Sequence, residues 1–287
     1  MTGEMTGMTS VVTGSTSGIG RELAELLAVR GGHVIGVGRS AERCREAEQE
    51  IRESTGNPCV VFLAADLSSQ SEVRDLAAEI AAREGHIDAL VNNAGVFTLS
   101  RRETIDGLET QLAVNWLAGF MLTGLLMPLL IEAPASRVVN LSSGSHFSGT
   151  MHWGDPGLHR GYHGLKAYDQ SKLAAVLFTY ELARRVCSRT GPAAYAVDPG
   201  LVKTGIAAKE NSRIVRAIWT IRTRKAIGPK QAAESVAWCA ADPLAGGKTG
   251  LYWKERHPLD SSPESYDPDA GRRLWELGER LSGVRYC

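Results

Sequence analysis

Short apolar runs alternate with longer amphipathic stretches along most of this chain. Ser10-Val11-Val12-Thr13 reads as a strand, and a helix follows from about Ile19 to Arg30. A second strand, His33 to Val37, precedes a charged helix from Ala41 to about Ser54, and Cys59 to Ala64 gives a third strand. Ser71 to Arg83 reads as helical, Ala89-Leu90-Val91 as a fourth strand, and two helical stretches cover roughly Thr104 to Ile131. Arg137 to Leu141 is a fifth strand. A long helix from about Ala167 to Arg189 leads to a sixth strand, Ala193 to Val197. A helix near Lys230 to Ala241, a short strand near Gly250 to Trp253 and a terminal helix from Pro268 to Leu281 complete the series. Strands that are apolar throughout, rather than alternating, are buried on both faces. The repeated βα order therefore predicts an α/β fold, one doubly wound parallel sheet with helices on both sides. No stretch rich in Pro, Gly or Ser divides the chain, and no solenoid repeat recurs, so residues 1–287 read as a single domain.

Composition changes this picture little. At 43% hydrophobic and 22% charged, the chain suits a soluble globular protein with a large core. Lysine plus arginine number 32 and so do aspartate plus glutamate, so no net charge calls for a nucleic-acid partner. The charge is unevenly spread, however. Lys203, Lys209, Arg213, Arg216, Arg222, Arg224, Lys225 and Lys230 face Glu210 alone. The five cysteines are scattered and form no C-x-x-C pair, as expected of reduced thiols in a cytoplasmic protein rather than a disulfide or zinc framework. No signal-peptide pattern opens the chain. The longest apolar run, around Leu117 to Ile131, contains Pro128 and is too short for a transmembrane segment.

The first strand runs directly into Gly14-Ser15-Thr16-Ser17-Gly18-Ile19-Gly20 and then a helix. Small residues there let the backbone approach a pyrophosphate, and the helix N-terminus presents unpaired N–H groups and a favourable dipole to the anion. The spacing is G-x-x-x-G-x-G rather than G-x-G-x-x-G; the plainer alternative is a Gly-rich turn that binds nothing. A nucleotide here makes the sheet Rossmann-type. The second strand ends Val37-Gly38-Arg39-Ser40, without the acidic residue that holds a ribose 2′-hydroxyl in NAD sites. Arg39 is placed to meet a 2′-phosphate, with Ser40 able to hydrogen-bond it, so NADP(H) is expected over NAD(H). Alternatively, Arg39 is a solvated arginine at a helix start.

Tyr168 and Lys172 stand four apart within the long helix and so share one face. An ammonium beside a phenol favours the phenolate, which predicts a depressed Tyr168 pKa and proton exchange near neutral pH.

Four further stretches follow in order. They are Asp66-Leu67, Asn92-Asn93-Ala94-Gly95, Asn140-Leu141-Ser142-Ser143 and Asp198-Pro199-Gly200-Leu201-Val202-Lys203-Thr204. With the glycines and the Tyr168/Lys172 pair, they resemble the short-chain dehydrogenase/reductase family over about residues 9 to 282. The wide gap between Ser143 and Tyr168 and the tail Arg273-Leu274-Trp275-Glu276-Leu277 resemble its retinol-dehydrogenase-like and protochlorophyllide-reductase-like branch.

The resemblance implies a catalytic set of Asn115, Ser143, Tyr168 and Lys172. In it, Tyr168 is general acid/base, Ser143 binds the substrate oxygen, Lys172 also holds the nicotinamide ribose, and Asn115 binds a relay water. It further implies that Asp66 and Leu67 bracket the adenine and that Asn93, Ala94 and Gly95 line the cofactor. Pro199, Gly200, Val202 and Thr204 would hold the nicotinamide end, beside the Gly14, Ser15, Ser17, Gly18, Ile19 and Gly20 turn. The implied activity is hydride transfer between NADP(H) and a carbonyl or secondary alcohol of a fairly apolar small molecule. Rival readings are a nucleotide-binding sensor without turnover, and C=C reduction or isomerisation at the same site. The implied quaternary state is a monomer or homodimer.

Two segments lie outside this scheme. The enlarged gap holds His146, His152, Trp153, His159, Tyr162 and His163. The redox chemistry needs no metal, so these histidines are expected to pack and hydrogen-bond, with Trp153 and Tyr162 contributing to a substrate wall. The basic stretch 203–228 would form a substrate lid, followed by a C-terminal extension over about 254–287. A solvated basic face, an anionic substrate and peripheral contact with an anionic membrane all remain open for that lid.

Overall fold

The computed structural model describes residues 4–186, 191–202 and 227–286. Among these residues eight strands form one sheet in the order β3-β2-β1-β4-β5-β6-β7-β8. They are β1 (Thr9–Thr13), β2 (His33–Gly38), β3 (Val60–Ala64), β4 (Ala89–Asn92), β5 (Arg137–Leu141), β6 (Ala193–Asp198), β7 (Leu251–Lys254) and β8 (His257–Leu259). The pairs from β3 to β7 are parallel, and β8 closes the edge antiparallel to β7. β1, β5 and most of β2 and β6 are buried along their length, as their unbroken apolar runs require. The order reverses at β1, which pairs with β2 on one side and β4 on the other. In open α/β sheets a crevice forms at such a switch point, beyond the carboxyl ends of the strands. Register aligns those ends, with Thr13 beside Val37 and Asn92 beside Asn140.

Helices cover both faces. One apolar layer joins the sheet to α1 (Gly18–Val29), α2 (Ala41–Thr55) and α8 (Pro229–Ala241) through Leu23, Leu27, Ile51, Val236 and Ala237. The opposite layer takes in α3 (Gln70–Arg83), α7 (Gly164–Arg185) and α9 (Pro268–Ser282). It also contains a segmented helix: α4 (Thr110–Leu112), a π-helical turn (Ala113–Leu117), α5 (Ala118–Leu125) and α6 (Met127–Glu132). There Phe120 lies 5.0–5.4 Å from the rings of Phe178, Trp275 and Tyr286, which fixes the C-terminal helix against α5 and α7. Among the described residues no helix is long and apolar enough to cross a membrane.

The structure departs from the sequence reading at two elements. Helix was expected from Thr104, but Gly107 N–H closes a turn on the Thr104 carbonyl, and the helix waits for Glu109. The Glu109 carboxylate accepts from the N–H groups of Gln111 and Leu112 and so caps α4. β8 was not anticipated, because three exposed residues that include Pro258 carry no apolar signal; proline is tolerated there at an edge. Most of the expected lid, residues 203–226, and Arg189 at the expected end of the long helix lie outside the described residues.

Candidate active site

The crevice at the switch point is built on the Gly-rich turn. Gly14 has φ +67°, and a Cβ there would stand 2.9 Å from Ala94 Cα. At Gly20 a Cβ would stand 2.5 Å from Gly14 O and would also strike the Asn93 amide. Only glycine fits either place. Asn93 Nδ2 donates to Thr13 O (2.7 Å), and Thr13 Oγ1 accepts from the N–H groups of Asn93 and Ala94 (3.0 Å each). The Asn92-Asn93-Ala94-Gly95 stretch is thereby stapled onto the turn. Ser15 is buried and its hydroxyl donates to Val37 O, so it ties the turn to β2. Ser17 is exposed, while Gly18 and Ile19 are half-buried at the start of α1.

Helix α1 differs from its neighbours at its N-terminus. α2 and α3 begin with capping serines, Ser40 and Ser69, and carry Glu42 and Glu72 in their first turns. α1 has no side-chain cap at Ser17 and no acidic residue in its first turn. An uncapped N-terminus above a Gly-lined turn is suited to a phosphate group, so the residues present fit a dinucleotide.

At the end of β2, Arg39 is exposed, and Ser40 Oγ accepts from Arg43 N–H. Arg43, which the sequence reading passed over, donates to Thr16 O at 3.2 Å and adds a second cation to this corner. Its spacing from Arg39, four residues on at a helix start, was the available signal. Asp66 turns its Oδ1 onto Ser68 N and Oγ, and Leu67 lines the cleft with Thr13, Ala94 and Asn115. Pro199 and Gly200 (φ +81°) follow β6, and Val202 is buried and bridges to Ile227. Thr204 lies outside the described residues.

The four residues expected to be catalytic converge beyond β4 and β5. Tyr168 is half-buried, its ring edge-on to Phe97 at 5.8 Å, and the Ser143 side chain lies beside its hydroxyl. The neighbouring Ser142 is buried and donates to Lys172 O, which leaves Ser143 as the serine facing the cleft. Lys172 is buried, donates from Nζ to Leu141 O at 2.9 Å, and lies 5.6 Å from the Tyr168 ring centroid. Gly95 passes close by: a Cβ there would come 3.5 Å from Asn115 Oδ1 and 3.8 Å from Lys172 Nζ. Asn115 sits in the π-helical turn, a distortion that tends to mark functional positions. Its amide is spent on the main chain of Val96 (N–H to Oδ1 2.7 Å, Nδ2 to O 3.0 Å) and on Ser171 Oγ.

The electrostatics correct one expectation. Lys172 was expected to lower the Tyr168 pKa, but burial, then Asp198 and Asp169, push it up, and only the neighbouring Ser143 opposes them. Burial also lowers Lys172 to about 8, against the pull of Asp198. Asp198, itself buried, accepts from Gly200 N–H and lies 3.6 Å from Lys254 Nζ. These surroundings favour the protonated phenol.

The loop before α7 is tied to neighbouring elements. Tyr162 OH meets Thr98, Gln111 and Glu109, and Trp153 lies under the Arg273 guanidinium at 4.5 Å while packing on the core. These contacts engage both side chains expected in a substrate wall. His159 pairs with Asp155, His163 precedes α7, and His146 is fully buried. Among the described residues no three His, Cys, Asp or Glu side chains gather as a metal site requires.

An uncapped helix over a glycine-lined turn, beside a Ser–Tyr–Lys convergence, defines the fold and site of a nucleotide-dependent oxidoreductase. A family profile described as short chain dehydrogenase matches residues 8–214. Human retinol dehydrogenase 11 is 35% identical over 281 residues, covering 98% of this chain and 87% of that protein. Mouse polyprenol dehydrogenase is 36% identical, covering 97% and 84%. Among solved structures, an uncharacterized protein from Mycobacterium paratuberculosis superposes with TM-score 0.80 at 28% identity, covering 98% of this chain and 96% of that one. An NADP-containing crystal structure of a protein from Beutenbergia cavernae, described as an NAD(P)-dependent gluconate 5-dehydrogenase, gives TM-score 0.70 at 28% identity, covering 87% and 95%. The chain belongs to the short-chain dehydrogenase family, in its retinol-dehydrogenase-like branch.

Proposed function

We propose that this protein reduces a carbonyl group of a fairly apolar small molecule with NADP(H). The observation that carries the reading is the convergence of Ser143, Tyr168 and Lys172, with the buried Lys172 Nζ 5.6 Å from the Tyr168 ring and donating to Leu141 O. When bound, NADPH supplies the hydride. The protein's own part is proton handling and charge stabilisation. Tyr168, kept neutral by burial and by Asp198 and Asp169, holds a proton it can give to the substrate oxygen. Ser143 Oγ, beside it, donates to the same oxygen as negative charge develops. Lys172 stands one turn further along α7 with its Nζ 5.6 Å from the phenol ring, its own orientation set by Leu141 O. Because its side chain is committed to Val96 and Ser171, Asn115 would hold a relay water through its main-chain carbonyl.

A phenol that is held protonated serves reduction, where an acid is needed, more directly than oxidation. Arg39 and Arg43 support NADP(H) over NAD(H), since two cations at the end of β2 suit a 2′-phosphate better than a hydroxyl. The names of the retinol and polyprenol dehydrogenases support an apolar substrate. Titration with NADPH and NADH, followed by NADPH consumption with aromatic ketones, aliphatic aldehydes, retinal and quinones, tests the reading. Tighter NADPH binding with turnover of a carbonyl is expected. Binding of neither nucleotide would overturn it.

A further inference from the structure

His146 belongs to neither the nucleotide cleft nor the catalytic group, yet it is fully buried and polar on both edges. Its Nδ1 lies 2.7 Å from Ser143 O, and its Nε2 accepts from Ser262 N–H at 3.1 Å. Because the second contact requires Nε2 to be an acceptor, the neutral ring carries its proton on Nδ1 and donates it to Ser143 O. Burial favours that neutral form. Phe147 and Tyr252 enclose the ring at 4.1 and 4.7 Å between centroids.

The Ser143 carbonyl thus accepts from two donors, the imidazole and the His146 main-chain N–H at 3.0 Å. On its other side, Ser142 is fixed by its N–H to Val197 O and by its hydroxyl to Lys172 O. The Ser143 peptide is therefore held from both directions, and its hydroxyl, which accepts from Ser145 N–H at 3.3 Å, lies beside Tyr168. The polar chain continues beyond His146. Ser265 Oγ donates to Ser262 O and pairs with Ser261 Oγ, which meets Tyr180 OH on α7 at 2.7 Å. Tyr180 lies on the same helix as Tyr168 and Lys172. The C-terminal turn at 261–266 is thereby linked to both the catalytic serine and the catalytic helix.

We infer that His146 is a positioning residue, whose Nδ1–H fixes the Ser143 peptide and ties the aim of the serine hydroxyl to the C-terminal segment. The inference rests on the role proposed for Ser143. It is tested with His146→Ala, His146→Asn, Ser143→Ala and the Ser143→Ala/His146→Ala pair. NADPH is the reductant, and nonanal or all-trans-retinal is the probe, whichever the unaltered protein reduces faster. One lost positioning hydrogen bond is expected to lower kcat by about tenfold. NADPH affinity and the KM for the probe should stay within about twofold of the unaltered protein. His146→Asn, whose amide can supply a donor near the Nδ1 position, should recover most of kcat. In the Ser143→Ala background His146→Ala should cost nothing further, because once the hydroxyl is gone the imidazole has nothing left to aim.

Unchanged kcat in His146→Ala, an equal loss in both backgrounds, or an Asn variant no better than Ala would each overturn the inference. An unchanged kcat in Ser143→Ala would instead remove the serine from the proposed reaction, which is a separable result. Should His146→Ala not fold by circular dichroism, Ser262→Pro replaces it in the cycle. Ser262 already has φ −61°, so proline there removes the N–H that fixes the His146 ring and suits the backbone.

Discussion

Gly20→Ala tests the nucleotide cradle most sharply. The added methyl would stand 2.5 Å from Gly14 O and would also meet the Asn93 amide, which donates to Thr13 O and Gly14 O. Relief requires the Asn93 side chain or the turn itself to move. Overpacking of this kind costs about 1–3 kcal/mol, and each displaced hydrogen bond adds about 1 kcal/mol. The expected loss of stability is therefore about 2–4 kcal/mol. The same movement draws the backbone away from the place for the pyrophosphate and should weaken NADPH binding by about 10–100-fold. Gly85→Ala is the control, because a Cβ there meets nothing within 4 Å and φ is not positive. Thermal unfolding followed by tryptophan fluorescence gives the first quantity. NADPH titration well below Tm gives the second. A folded Gly20→Ala protein that binds NADPH within twofold of the unaltered protein would refute the assignment of this turn.

Arg39→Ala should raise the Kd for NADPH by about tenfold or more and leave that for NADH within about twofold; Arg43→Ala should do the same more weakly, and equal effects on both nucleotides would remove the 2′-phosphate assignment. Lys172 is held at about 8 in the fold against 10.5 as a free side chain, so between these values the unfolded chain binds the extra proton. Stability of the nucleotide-free protein should accordingly rise with pH from about 8 by about 1 kcal/mol per unit, and Lys172→Met should flatten that slope in denaturant melts. Trp275→Ala opens the aromatic cluster around Phe120 and should cost about 3–5 kcal/mol, a Tm lower by about 10 °C, with NADPH affinity unchanged in the folded protein.

Much of the sheet was legible because parallel strands buried on both faces are apolar throughout, and β1 to β6 announce themselves in that way. The crevice was legible for a related reason: glycines that no Cβ can replace must appear as glycines, as Gly14 and Gly20 do. What stayed hidden depends on burial and on contacts between distant residues. The sign of the Tyr168 pKa shift is set by desolvation and by Asp198, thirty residues further along the chain, whereas the i,i+4 lysine was the visible neighbour. His146 was one of four histidines in a loop, and nothing local distinguished the ring that turns inward from those at the surface. Trp153 and Tyr162 were placed in a substrate wall from their position alone, and their partners Arg273 and Gln111, distant along the chain, carried no local signal. The π-helical turn at Asn115 has no periodicity of its own and reads as ordinary helix.

The central claim is that Tyr168 supplies the proton at a carbonyl-reducing site, and Tyr168→Phe tests it most directly. The ring stays packed against Phe97 and only the hydroxyl is lost. NADPH affinity should remain within about twofold, while kcat for carbonyl reduction should fall by about 10²–10⁴-fold, the usual contribution of a general acid. Turnover within about threefold of the unaltered protein, with NADPH still bound, would contradict the account.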